Sequence, residues 1–176
     1  IMANVEHKVS LISGIHDLLP NRTGGAIMQK NLEILGDIQY TQDEIDFALD
    51  MQKANGKPQI GIDGKIRPLR ETLESPGGGS TDVGDVSYNV PVVSLAATTA
   101  PKGVPWHSWS VVASSGMSIG HKGMLHAAKA LGMSMIDIYK DKKLREEIKK
   151  EFDERIGDYN YDPYLNPGPP PIDYVD

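Results

Sequence analysis

Five histidines and no cysteine set the chemistry open to this 176-residue chain. Without thiolates a transition-metal site must be built from imidazoles and carboxylates, and a thiol nucleophile or a disulfide is excluded. His121 and His126 fall in one helical pattern, about 140° from each other around the axis, so they do not share a face. His7 interrupts an alternating run and reads as packed or paired. His16 precedes Asp17 in a turn, where a local hydrogen bond accounts for it. No His-Glu-x-x-His, His-x-His or other close ligand pair occurs. His107 stands apart. It lies in a loop punctuated by Pro101, Gly103 and Pro105, after an apolar run and before a long helical pattern, flanked by Trp106 and Trp109. Loops at the carboxyl ends of strands are where α/β folds bind ligands. The residues alone leave two readings of His107 open, a functional imidazole and a packed histidine in an aromatic loop.

The second candidate is the glycine-rich stretch Gly77-Gly78-Gly79-Ser80-Thr81-Asp82. Three glycines let backbone N–H groups approach an anion, and Ser80 and Thr81 add hydroxyl donors. No Gly-Lys-Ser/Thr follows, so it is not a P-loop, and it lacks the dinucleotide-binding spacing. Asp82 and Asp85 lack the spacing and closing Glu of an EF-hand. A simple flexible turn is the competing reading, and Ser80 has no partners spaced as in a hydrolase elbow.

The elements that must position these residues are readable in outline. Val5 to Ile12 alternates with period two and predicts a half-buried strand. Asn21 is placed to cap a helix bearing Met28, Leu32 and Leu35, stopped by Gly36. Thr41 and Glu44 have capping-box spacing, with Tyr40 and Ile45 at the staple positions, ahead of a helix that ends at Asn55-Gly56. Lys57 to Pro76 reads as a long connection, and Val90 to Leu95 as a short buried strand. From Ser115 to Tyr139 one long helix is expected, with Met117, Met124, Ala128, Leu131, Met135 and Ile138 as its inward stripe. Asp141 caps a charged helix with Leu144, Ile148, Phe152 and Ile156 inward, a Glu146–Lys150 pair outward, and Gly157 as terminator. Asp162 to Asp176 carries five prolines and reads as an extended tail. The sum is α/β with too few strands for a good sheet.

At 39% hydrophobic and 24% charged, with mean hydropathy −0.34, the chain can bury a core, so whole-chain disorder is excluded. No apolar run approaches a membrane span. The net charge is −6, with the densest run of basic residues in one late segment beside acidic ones, so no basic face for nucleic acid is expected. No signal segment is visible, and a soluble, cytoplasmic protein is the expectation. The chain opens Ile1-Met2-Ala3, which fits a trimmed piece as well as an internal start.

Taken together, Gly78-Gly79-Ser80-Thr81-Asp82, Val90-Pro91, His107-Ser108 and Gly116-Met117-Ser118-Ile119-Gly120-His121-Lys122-Gly123-Met124 resemble a specific family. They look like the carboxyl-terminal portion of the dizinc metallopeptidases that include aminoacylases, glutamate carboxypeptidases and amidohydrolases. The resemblance runs from about Val5 to Phe152 and touches only the last third or so of the family's chain. It implies the carboxyl-terminal part of a mixed-sheet α/β catalytic domain, preceded by the last strand of an inserted lid and dimerisation domain. Residues 1–18 would be the lid strand, 19–160 the catalytic segment and 161–176 the tail. His107 matches the family's last metal-ligand histidine, and Gly79, Ser80 and Thr81 match the loop lining the substrate pocket. Two divalent ions, zinc or manganese, are implied for the full-length protein, which would cleave the amide bond of an N-acyl or N-aroyl amino acid. Two departures stand out. Ile15 follows Gly14 where many relatives carry an Arg for the substrate carboxylate. The family's early His-x-Asp and Glu-Glu motifs, which supply the other ligands and the general base, are absent from these residues. The implied partners are therefore the amino-terminal remainder of the same protein, a second copy in a homodimer and a small amide substrate, and the chain alone is expected to be inactive. A reading from another class is a non-catalytic module that binds a small anion or a protein partner through the glycine-rich loop and the Trp106–Trp109 region.

Overall fold

The computed structural model describes residues 6, 7, 9, 11, 13–70, 79–165 and 168. Its regular elements are helices: α1 (Arg22–Leu35), α2 (Gln42–Ala54), α3 (Val83–Ser87), α4 (Trp109–Ser115), α5 (Ser118–Lys140) and α6 (Lys142–Ile156). α1, α5 and α6 pack on one another, α4 packs on α5, and long irregular segments cross their surface.

The α/β mixed-sheet expectation is overturned, since the described residues contain no strand. Val90 to Leu95, expected as a buried strand, runs as irregular backbone beside α1. A Cβ on Gly24 would collide with the Val93 side chain, so the absence of one there permits the approach. The physical reason is pairing: an apolar run becomes a strand only when a neighbour takes its backbone hydrogen bonds, and the described chain offers no such neighbour. The expected strand from Val5 to Ile12 falls partly outside the described residues. Within it, Glu6, His7, Val9 and Leu11 are irregular and exposed. Much of the expected tail also lies outside them.

The helix ends follow local rules closely. Asn21 accepts a 2.8 Å bond from the Gly24 N–H, and the Gly36 N–H closes α1 on Leu32. Two more free donors at this end, the N–H groups of Arg22 and Thr23, go to the Glu151 carboxylate of α6 at 2.8 and 2.7 Å. Burial alone would raise the Glu151 pKa, but these donors and Arg155 outweigh it and hold the carboxyl at about 2. Asn31, deep between α1 and α5, donates to Ser134 and Asp137 at 3.0 Å each. The Thr41–Glu44 capping box forms as expected, and so does the Asp141 cap of α6.

The long carboxyl-terminal helical pattern differs from expectation in two ways. It starts at Ser118 rather than Ser115, and a separate helix, α4, precedes it across Gly116-Met117. The buried face of α5 is Ile119, Gly120, Gly123, Ala130 and Ser134, whereas Met124, Leu131 and Met135 of the expected inward stripe are exposed. Small residues won the inside because they let α5 sit close to α1 and to the irregular chain around Thr98. On α6 the pairs formed are Lys142–Glu146 and Lys150–Glu154 rather than the expected Glu146–Lys150.

Candidate functional site

Gly79, Ser80, Thr81 and Asp82 are exposed and lead directly into α3. Thr81 starts that helix: its carbonyl accepts from the Gly84 N–H at 3.2 Å and its Oγ1 from the Val83 N–H at 3.3 Å. The helix is then pressed onto the segment from His16 to Leu19. A Cβ on Gly84 would collide with the His16 carbonyl oxygen, so only glycine permits this approach. The Leu19 N–H donates to Ser87 Oγ at 2.8 Å, and Ser87 donates in turn to the Gly84 carbonyl at 2.5 Å.

His16 locks this arrangement. It is 7% exposed, and its Nδ1 lies 2.9 Å from Asp85 Oδ1 while its Nε2 lies 2.7 Å from the Tyr159 hydroxyl. A carboxylate only accepts, so in the neutral ring Nδ1 carries the proton and Nε2 accepts from Tyr159. Tyr161 donates to the same Asp85 oxygen at 3.1 Å. The Tyr164 ring stacks on the imidazole at 4.3 Å between centroids, and Tyr88, packed 5.1 Å from it, donates to Asp17. The hydrogen bond from His16 lowers the Asp85 pKa despite a smaller opposing effect of burial, with Tyr161 adding to the lowering. Burial raises Tyr88 and Tyr161, and their carboxylate partners add to it.

This knot is what sequence reasoning missed. The expected His16–Asp17 bond does not form, and the partners of His16 come from 69 and 143 positions away. The available signal was Tyr159, Tyr161 and Tyr164, three aromatic rings entering a proline-rich tail that otherwise has little to bury.

His107 is exposed and sits at φ 58°, the sole non-glycine residue with positive φ among the described residues. That backbone region disfavours a side chain, and such outliers gather at functional sites. Ser108 Oγ donates to the Pro105 carbonyl at 2.5 Å and tightens the same turn. Among the described residues no three His, Asp or Glu side chains converge to hold a metal ion. A catalytic ion typically takes three protein ligands, so the donors described here do not complete a site, and one exposed imidazole is the most that His107 brings. His121 is exposed on α5, and His126 lies at the wall of a cleft of about 820 Å³. That cleft also carries Trp106 and the cationic residues Lys65, Arg67, Arg70 and Lys102.

No described helix is long and apolar enough to cross a membrane. Among known proteins, no family profile matches the chain and no solved structure matches it. It is similar to a p-aminobenzoyl-glutamate hydrolase subunit of Escherichia coli (strain K12), 32% identical over 157 residues that take in 76% of this chain and 33% of that protein. The chain thus spans about a third of the length of the curated relative it matches, and the likeness supports a kinship with that hydrolase subunit.

Proposed function

We propose that this chain is a carboxyl-terminal segment of a metal-dependent amidohydrolase of the dizinc metallopeptidase type. Its substrate is an N-acyl or N-aroyl amino acid such as p-aminobenzoyl-glutamate. The observation that carries the reading is the 32% identity to a hydrolase subunit, over a stretch that takes in most of this chain. The left-handed backbone of the exposed His107 agrees with it, because such strained backbone gathers at functional sites. In this reading His107 gives one neutral imidazole to a zinc or manganese ion, and Gly79, Ser80 and Thr81 line the substrate side. The remaining ligands and the general base come from residues with counterparts in the two thirds of the relative that this chain does not span. No catalytic step is assigned to side chains within the chain.

The test is hydrolysis of p-aminobenzoyl-glutamate by the whole gene product with zinc or manganese added. His107→Ala is expected to lower kcat at least about a hundredfold, since loss of one of three or four ligands opens the coordination of the ion. The 176-residue chain alone is expected to show no turnover. Turnover by that chain, or an unaffected His107→Ala enzyme, refutes the reading.

A second reading, a non-catalytic anion-binding module, is favoured by the cleft lined by Trp106 and four cationic residues, where Asp63 offsets one of them by pairing with Arg67 at 3.6 Å. It predicts saturable binding of inorganic phosphate that Lys65→Ala and Lys102→Ala weaken, with no hydrolysis by the whole gene product.

A further inference from the structure

We propose that His16 is a positioning residue for the Gly79–Thr81 loop, holding that loop in its substrate-binding position through its hydrogen bond to Asp85. The proposal rests on the reading of that loop as part of the substrate pocket, and it names the residue on which the loop's position depends. Gly79, Ser80 and Thr81 are exposed. They continue into α3, a helix of five residues, too short to hold its own position. What fixes α3 is the segment beneath it. Backbone meets backbone at Gly84, the Leu19 N–H reaches Ser87, and the imidazole of His16 reaches Asp85. Asp85 stands four residues beyond Thr81, so any shift of α3 carries the loop with it.

The two nitrogens of His16 face different segments. Nδ1 points to Asp85 and the loop, and Nε2 points to Tyr159, in the segment after α6. An imidazole that only filled space beneath Tyr164 would need neither bond. Here both are made in a site 7% exposed, where each unmet partner would be costly. The two roles separate by substitution. An asparagine amide nitrogen occupies about the place of Nδ1 and keeps a donor to Asp85. A glutamine amide reaches about the place of Nε2 and keeps a partner for Tyr159, but it abandons Asp85.

The experiment is run on the whole gene product that carries this chain, with two readouts for His16→Asn, His16→Gln and His16→Ala. The first is amide exchange at Leu19, whose N–H reports whether α3 stays on its seat, and at Gly84, whose N–H reports the turn from Thr81 into α3. The second is steady-state hydrolysis of p-aminobenzoyl-glutamate, read as KM and kcat separately. His16→Gln is expected to speed exchange at both amides about tenfold and to raise KM at least about fivefold, with kcat within about twofold. His16→Asn is expected to stay near the parent in both. His16→Ala, if it folds, should match His16→Gln. Equal effects of Asn and Gln, or exchange unchanged in His16→Gln, overturn the proposal. Faster exchange with unchanged KM, when Ser80→Ala and Thr81→Ala also leave KM unchanged, removes the loop from the substrate pocket and with it the positioning role. A parent protein that hydrolyses no such amide refutes the underlying reading, while the exchange readout still decides whether His16 holds the loop.

Discussion

Gln52 and His16 are both buried polar side chains that tie distant stretches of irregular backbone together, and they do so with different chemistry. Gln52, with no exposed surface, uses every site its amide has. Nε2 donates to the carbonyls of Gly61 and Lys102 at 2.9 and 2.8 Å, and Oε1 accepts from the N–H groups of Ile60 and Gly61 at 2.9 Å each. All four partners are backbone, and none of the groups titrates. His16 instead bonds two side chains, a carboxylate and a phenol, and sits among four tyrosine rings. An amide saturated by backbone serves to hold one shape. An imidazole between an acid and a phenol holds a shape through side chains that must themselves be brought into place. The first knot secures the crossing from α2 to the chain near Lys102. The second secures the loop that leads to Thr81.

The largest expected effect separates the two. Gln52→Ala strands four backbone groups at once, two of them in fully buried contacts, and is expected to cost about 3 kcal/mol of unfolding free energy, measured by urea denaturation. A loss under about 1 kcal/mol would mean that water replaces the amide, and the contrast with His16 would collapse. Glu44 gives the next step, since it is caged like Gln52 yet titrates. It is 4% exposed and accepts from the Thr41 N–H at 2.7 Å and from Lys122 Nζ at 2.6 Å. Burial would raise its pKa, but Lys122, Ser118 and Thr41 outweigh that and bring it to about 2, against 4.5 ordinarily. A depressed carboxylate contributes stability that is present above its unfolded pKa and lost as pH falls through the folded one. The unfolding free energy should therefore drop between about pH 4.5 and 2. Lys122→Met should flatten that part of the profile and cost roughly 2 kcal/mol at neutral pH, because it leaves the carboxylate buried beside an apolar chain. A Lys122→Met profile that still falls as steeply in acid would show that the backbone donor at Thr41, rather than the ammonium, holds the charge.

What the sequence disclosed follows the range of the forces involved. The caps at Asn21, Thr41 and Asp141 and the stops at Gly36 and Gly157 were legible because each is decided within four residues. The run from Val90 to Leu95 was misread as a strand, since its composition is strand-like but its pairing depends on a neighbour that no local pattern supplies. The α5 face was misread for a related reason. Methionines and leucines mark an apolar stripe, but Gly120 and Gly123 sit where Ser115 and the Thr98 carbonyl come close, and Ser134 meets Asn31 of α1. At the candidate site, Gly79, Ser80, Thr81 and His107 were legible as residue types. The His16 knot was not, because its members are brought together from the beginning, the middle and the end of the described chain. His16 beside Asp17 offered a nearer acid, and burial chose the distant one.

The smallest effect tests whether burial, rather than the mere presence of a partner, separates a knot from an ornament. On α6, Lys150 and Glu154 approach to 3.7 Å with both side chains largely in water. One position along, Glu151 reaches away from α6 to take the two free N–H donors at the start of α1. Both are charged contacts of one helix, but water competes fully only for the first. Lys150→Ala is expected to change the unfolding free energy by under about 0.5 kcal/mol, and the difference should fade further in about 0.5 M salt, where the screening length drops near the separation of the charges. The neighbouring cap is shielded by the helix end it closes and should not fade in the same way. Thermal unfolding of the parent and Lys150→Ala at low and high salt decides it. A cost above about 1 kcal/mol at Lys150 would mean that the ladder of pairs along α6 acts as a network, so that exposure alone does not rank the polar contacts of this molecule.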